Sequence, residues 1–246
     1  MNPQKLAYLK ALDIPVWMAK NREIKPAITE AIEITKTSTA DNPNSDLNLD
    51  LNLNLDQLKQ CVQNCTACDL HKTRTQTVFG VGNTQADIMV IGEAPGHYED
   101  QQGEPFVGQA GQLLNAMFQS IGLSREQVFI ANILKCRPPN NRDPLPSEVE
   151  SCTGFLQQQI KLVQPKVLCA VGRIAAQYLL NTDLSLGKLR NQTHYYNSGS
   201  DSSDKNSENK TPLIITYHPA YLLRNPSAKS KSYEDILRLK TFIESS

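Results

Sequence analysis

Four of the six cysteines in this 246-residue chain fall into two pairs, Cys65-Thr-Ala-Cys68 and Cys136 with Cys152. Four thiolates suit a tetrahedral zinc site or an iron-sulfur cubane, and spacing alone does not choose between them. Cysteines used as ligands or buried thiols point to a reducing compartment rather than a disulfide framework. Cys61 lies one helical turn before Cys65 and could replace one of these ligands or be an ordinary helix residue, while Cys169 in Val167-Leu-Cys-Ala-Val171 reads as a small buried side chain. The remaining polar candidates follow apolar runs: Gly92-Glu-Ala-Pro-Gly96, Asn132-Ile-Leu-Lys-Cys136, Gly172-Arg-Ile-Ala175 and His218-Pro-Ala-Tyr-Leu-Leu-Arg224.

Those runs, Asp87–Gly92, Val128–Leu134, Val167–Gly172 and Leu213–Tyr217, have the continuous apolar character of strands buried on both faces. Helical patterns at Gly111–Ile121, Pro146–Leu162 and Arg173–Leu180 alternate with them. This rhythm predicts an α/β fold, a parallel sheet covered by helices on both sides. Ligands of such sheets bind outside the carboxyl ends of the strands, so the four polar segments are expected to face one cleft.

With 39% hydrophobic residues the chain can bury one good core. It has no apolar run of membrane-spanning length and no signal peptide, which predicts a cytoplasmic protein, in the bacterial cytoplasm or nucleoid. Residues 1–36 carry Leu6, Leu9 and Leu12 on one helical side, a break at Pro15, and a second short helix after Pro26. Residues 37–56, acidic, Asn-rich and repeating Asp-Leu-Asn-Leu, read as a disordered linker or, alternatively, an edge strand. A short amphipathic element on such a tether either packs back or docks on a partner. The domain proper is placed at 57–246, with a low-complexity excursion from a hairpin or loop at Asn197–Lys210. Formal net charge is zero, yet Lys188, Arg190, Arg224, Lys229, Lys231, Arg238 and Lys240 gather toward the C-terminus as a candidate phosphate-facing side.

Six segments, in order, resemble family 4 uracil-DNA glycosylases, the iron-sulfur branch of their superfamily. They are Cys65-x-x-Cys68-x-Leu70-x-x-x-Arg74, Gly92-Glu-Ala-Pro-Gly-x-x-Glu-Asp100, Pro105-Phe-Val-Gly-x-Ala-Gly111, Asn132-Ile-Leu-Lys-Cys-Arg-Pro-Pro139, Asn141-Arg-Asp-Pro144 and His218-Pro-Ala-Tyr-Leu-Leu-Arg224. The resemblance implies a three-layer αβα fold with a short central parallel sheet. It also implies a 4Fe-4S cluster on Cys65, Cys68, Cys136 and Cys152, and a monomer that removes uracil from single- or double-stranded DNA. Residues 9–17 are similar to the N-terminal peptide of the psi subunit of bacterial clamp loaders, so residues 1–36 are a candidate dock for a replication or repair protein.

By the same resemblance Phe106 stacks on the flipped uracil, Asn132 pairs with its N3 hydrogen and O4, and His218 donates to O2 as charge develops. Gly92 and Ala94 complete the substrate pocket. Where relatives in other branches carry a water-activating Asp, this chain has Ala94, which leaves Glu93 as the nearest catalytic candidate. Glu99 is expected to wall off the C5 methyl of thymine, and His97-Tyr98 departs from the acidic residues usual in the family. Tyr221, Leu222 and Leu223 form an apolar wedge for the duplex, with Arg224 on a flanking phosphate. No lysine in the matched segments sits where an amine nucleophile is expected, so the reaction stops at an abasic site. Two alternatives are weighed. A cluster- or zinc-stabilised DNA-binding protein without excision would have no need of Phe106, Asn132 and His218 together. A covalently trapping relative would carry a reactive His after the Asn strand, where this chain reads Lys135-Cys-Arg-Pro-Pro-Asn-Asn-Arg-Asp143.

Overall fold

Residues 53–197 and 210–244 are described by a computed structural model. The helical element at 1–36, the linker through residue 52 and the interior of the 197–210 excursion lie outside them. The continuous apolar runs do become the centre of a sheet. Every residue of β2 (Ile88–Gly92), β3 (Phe129–Asn132) and β4 (Val167–Val171) is buried, the condition for strands covered on both faces. With β6 (Lys210–Thr216) these strands run parallel, and two short antiparallel strands, β1 (Val81–Gly82) and β5 (His194–Asn197), close the edges in the order β1-β3-β2-β4-β6-β5. Asn197 pairs with Lys210, so the Ser- and Asn-rich run leaves from a hairpin.

Alternation along the strands divides the core. Met89 and Ile91 point to one face, packed under α1 (Leu55–Gln63), α4 (Pro146–Val163) and α5 (Arg173–Leu180). Ile88 and Val90 point to the other, under α3 (Gln109–Gln119) and α8 (Lys229–Glu244). Shorter helices α2 (His97–Gln102), α6 (Leu186–Leu189) and α7 (Pro219–Arg224) sit between strands and layers. The three-layer αβα expectation therefore holds. β2 leads to β3 on one side, and the chain then crosses back to β4 on the other, so the topological switch that opens a crevice lies beside the end of β2.

Of the element boundaries that differ from expectation, two have a clear local cause. Helix α1 begins at Leu55, inside the span read as linker, because Asn54 caps it: its side chain accepts from the Gln57 amide at 2.9 Å while Gln57 accepts from the Asn54 amide at 3.0 Å. Strand β6 starts at Lys210 rather than Leu213, since pairing with β5 recruits residues whose own pattern is too polar to announce a strand.

Candidate active site

The ends of β2 and β3 and the start of α7 converge on one cleft lined by Glu93, Ala94, Glu99, Phe106, Asn132, His218, Tyr221 and Arg224, with Pro138, Asn141 and Arg142 on its rim. Gly92 lies directly beneath. A Cβ there would collide with the Asn132 carboxamide and come within 2.6 Å of the Phe106 ring, so only glycine lets these two side chains meet. The fourth strand end does not line the cleft. Gly172, at φ +103°, is a buttress: a Cβ on it would stand 3.1 Å from that of His218.

Asn132 is buried, and its Oδ1 has no hydrogen-bond partner. An acceptor stripped of water costs free energy unless a ligand donor meets it. Phe106 also adopts a costly conformation, φ 55°, in the region non-glycine residues avoid. Its turn is held from two sides. The Glu99 carboxylate accepts from the Val107 and Gly108 amides at 3.0 and 3.3 Å, just ahead of α3, while the half-buried Arg125 guanidinium donates to the carbonyls of Pro105 and Phe106. Gly111 supplies the space, since a Cβ there would overlap the Phe106 carbonyl.

His218 caps α7 through Nδ1, which accepts from the Ala220 amide at 3.2 Å. In the neutral ring the proton is then on Nε2, free to donate. Desolvation, with help from the Arg224 charge, pulls the His218 pKa down to about 4, so the ring is neutral at physiological pH. Its ring centroid is 5.6 Å from that of Phe106. Glu93 is shifted the opposite way, up to about 7, chiefly by burial and secondarily by the Asp143 charge, against the pull of Arg173. Asp143 and Arg173 are themselves ion-paired at 2.9 Å.

Below the sheet end, Cys65, Cys68, Cys136 and Cys152 line one small cavity between α1, α4 and the loop after β3, while Cys61 is exposed and Cys169 is buried elsewhere in the core. Polar donors are aimed at the sulfurs: Arg74 Nη1 donates to Cys136 Sγ at 3.0 Å, and the Lys135 amide to Cys152 Sγ at 3.3 Å. Burial raises the Cys68 and Cys136 thiols and pushes Cys152 up to about 12, which disfavours their thiolates unless a positive charge compensates. Lys135 reaches the other way, donating to the Asn132 carbonyl at 2.7 Å and to Gln159 Oε1 at 2.6 Å. The amine is wholly buried, away from the cleft.

Comparison with known proteins agrees with this architecture. A model of the uracil DNA glycosylase superfamily matches residues 79–239. The chain is 45% identical to the type-4 uracil-DNA glycosylase of Archaeoglobus fulgidus over 185 residues, 75% of this chain and 91% of that protein. It is 41% identical to the type-4 enzyme of Thermotoga maritima over 186 residues, 74% and 91% of the two chains. A type-5 uracil-DNA glycosylase of Pyrobaculum aerophilum matches less, 32% over 115 residues, 40% of this chain and 50% of that one. The chain belongs to the type-4 uracil-DNA glycosylases.

Within this type-4 member, two expectations need correction. Leu222 cannot be part of an exposed wedge: it is 1% exposed, on the inner side of α7 facing a cavity it shares with Leu113, Met117 and Ile236, whereas Tyr221 and Leu223, on opposite flanks of the helix, are 39% and 41% exposed, and of these two Tyr221 lines the cleft. A helix turns successive residues by about 100°, so three in a row cannot share one face. The C-terminal basic cluster is also partly spent. Arg190 is buried and pairs with Asp235 at 2.7 Å, Arg238 reaches the same carboxylate at 3.3 Å, and Lys240 pairs with Glu244. Arg125 escaped sequence reading altogether, because an Arg after a Ser-capped turn carries no signal that it folds back on a carbonyl twenty residues earlier. Among the described residues no helix is long and apolar enough to cross a membrane.

Proposed function

We propose that this chain excises uracil from DNA, leaving an abasic site, with the cleft over β2 and β3 as the uracil pocket. The buried Asn132 carboxamide, with its unpartnered oxygen beside Phe106, carries the reading. Its Oδ1 accepts the N3 hydrogen of a flipped uracil while Nδ2 donates to O4. Cytosine presents the reverse pattern and would leave two buried groups unpaired. Phe106 stacks on the base, Glu99 and Ala94 close the pocket, and Glu99 walls the C5 side against a methyl group. His218 Nε2–H donates to O2. As the N1–C1′ bond breaks, electrons pass into the uracil ring, and a neutral donor already fixed in place stabilises that charge without reorganising. Glu93, as carboxylate, orients the water whose oxygen bonds to C1′ and takes its proton. The departing uracil anion acquires a proton from solvent.

Cys65, Cys68, Cys136 and Cys152 would hold the 4Fe-4S cluster. The donor set fits: four sulfurs share one cavity, and Arg74 and Lys135 offset thiolate charge. Four cysteines suit zinc or a cubane alike, and membership of the type-4 family favours the cubane. Bound there, the cluster ties the α1 segment to the loop that forms the cleft rim. Among the described residues no lysine lines the cleft, and the amine of nearby Lys135 is bonded to the Asn132 carbonyl and Gln159, which supports a reaction without a lysine adduct and without strand cleavage.

The test is uracil release from a labelled oligonucleotide by the purified protein and by Asn132→Ala and His218→Ala. Each variant is expected to lose about a hundredfold or more, the usual cost of removing one such hydrogen-bonding group. Variants as fast as the parent would remove the pocket from consideration.

A further inference from the structure

Behind the exposed wedge stands a stack of planar groups that the excision chemistry does not use. The Tyr221 ring lies 5.0 Å from the ring of Tyr217 at an interplanar angle of 22°. On the Tyr217 ring sits the Arg190 guanidinium, 4.4 Å from its centroid. Arg190 is itself immobilised, since Nε pairs with the fully buried Asp235 at 2.7 Å and Nη2 donates to the Lys231 carbonyl at 2.7 Å. A chain of ring contacts thus runs from an ion pair anchored in α8 to Tyr221, which among the described residues that line the cleft is the exposed aromatic.

We infer that Arg190 and Tyr217 are positioning residues that hold the Tyr221 ring ready to enter duplex DNA beside the flipped nucleotide. The inference rests on the reading of α7 as the DNA-facing wedge. An unsupported tyrosine at a helix surface samples several rotamers, and freezing one costs side-chain entropy at the moment of binding. Stacking on Tyr217, itself clamped under a desolvated cation, removes that cost beforehand, at a site where aromatic and cation–π contacts are strongest. The alternative role, plain packing of α8 on the sheet, requires the Arg190–Asp235 pair but gives no reason for the stack to continue outward to Tyr221.

Duplex and single-stranded substrates separate the two roles. In a duplex the wedge must replace the stacking lost when uracil leaves, while in a single strand the base is already largely unstacked. Single-turnover excision is measured on both for the full chain, Tyr217→Met, Tyr217→Leu, Tyr217→Phe and Tyr221→Ala. Methionine and leucine fill the space without a flat face, and two of them guard against one failing to fold. The expected result is that Tyr217→Met and Tyr217→Leu lower the duplex-to-single-strand rate ratio about tenfold, that Tyr217→Phe restores it, and that Tyr221→Ala lowers it at least as far. A ratio unchanged in the Met and Leu variants but lowered in Tyr221→Ala would overturn the stack while leaving the wedge standing. An equal fall on both substrates would mark Tyr217 as structural only. A ratio unchanged in Tyr221→Ala as well would overturn the wedge reading itself.

Discussion

Glu93 and His218 are displaced from their ordinary pKa values in opposite directions by the same cause, burial, and both shifts favour chemistry near neutral pH. A raised carboxylate pKa keeps Glu93 protonated, and unable to take a proton from water, below about 7. A lowered imidazole pKa keeps His218 neutral down to about 4. On the proposed role of Glu93 as the base, the acid limb of excision is its titration: kcat/KM is expected to rise with pH through about 7 and to level above it. In Glu93→Gln the remaining activity should lose that limb, which a pH series of initial rates on one oligonucleotide will show. A stability effect accompanies His218. Its folded pKa lies below the unfolded value of about 6.5, so the stability contributed by holding it neutral is present above 6.5 and is lost as pH falls toward 4.

At the scale of elements, the turn that carries Phe106 is the least self-sufficient part of the pocket. Its left-handed φ works against it, and Glu99 from α2, Arg125 from the turn before β3 and the bare Gly111 of α3 together hold it. Removing one of those supports should cost activity more than stability. For Arg125→Met we expect a loss of about 1 kcal/mol in stability, the scale of a partly exposed charged hydrogen-bond set. Misplacing the stacking ring should lower kcat/KM by tenfold or more. Urea unfolding and steady-state kinetics on the same preparation will compare them. Helix α7 follows the same logic in reverse: its inner residue Leu222 fixes the helix, and Tyr221 and Leu223 on its flanks stay exposed, the residues proposed to meet DNA.

Across the whole molecule, the cysteine cavity joins pieces distant in sequence, α1 and the segment after it on one side and the loop between Cys136 and Cys152 on the other. That loop includes Pro138, Asn141 and Arg142 of the cleft rim, and Arg142 is tied by two hydrogen bonds to Glu148, one turn before Cys152 on α4. Loss of the proposed cluster should therefore loosen the rim as well as the α1 segment. Cys152→Ser is expected to lose the visible absorbance of an iron-sulfur centre, to melt at a lower temperature, and to become sensitive to proteolysis between residues 137 and 145. A variant that keeps the parent's melting temperature without the absorbance would argue against a structural role for the cluster.

The sequence by itself determined the features written in local pattern or in ordered motifs: four core strands, three of the covering helices though not the long α8, the pairing of cysteines, and Phe106, Asn132 and His218 as residues of one cleft. Such features are legible because burial on both faces imposes an apolar run, and because a catalytic group must sit at a fixed place on its strand end. What only the tertiary structure decided depends on neighbours far along the chain. Edge strands β1 and β5 exist because partners pair with them. Leu222 is inside because α8 and α3 lie under α7, and Arg190 serves Asp235 and Tyr217 rather than a phosphate. Arg125 belongs to the Phe106 turn, and the two pKa shifts come from desolvation that no residue encodes alone. Burial and side-chain direction are properties of the packed molecule, and a linear pattern carries them only where one element's periodicity already dictates them.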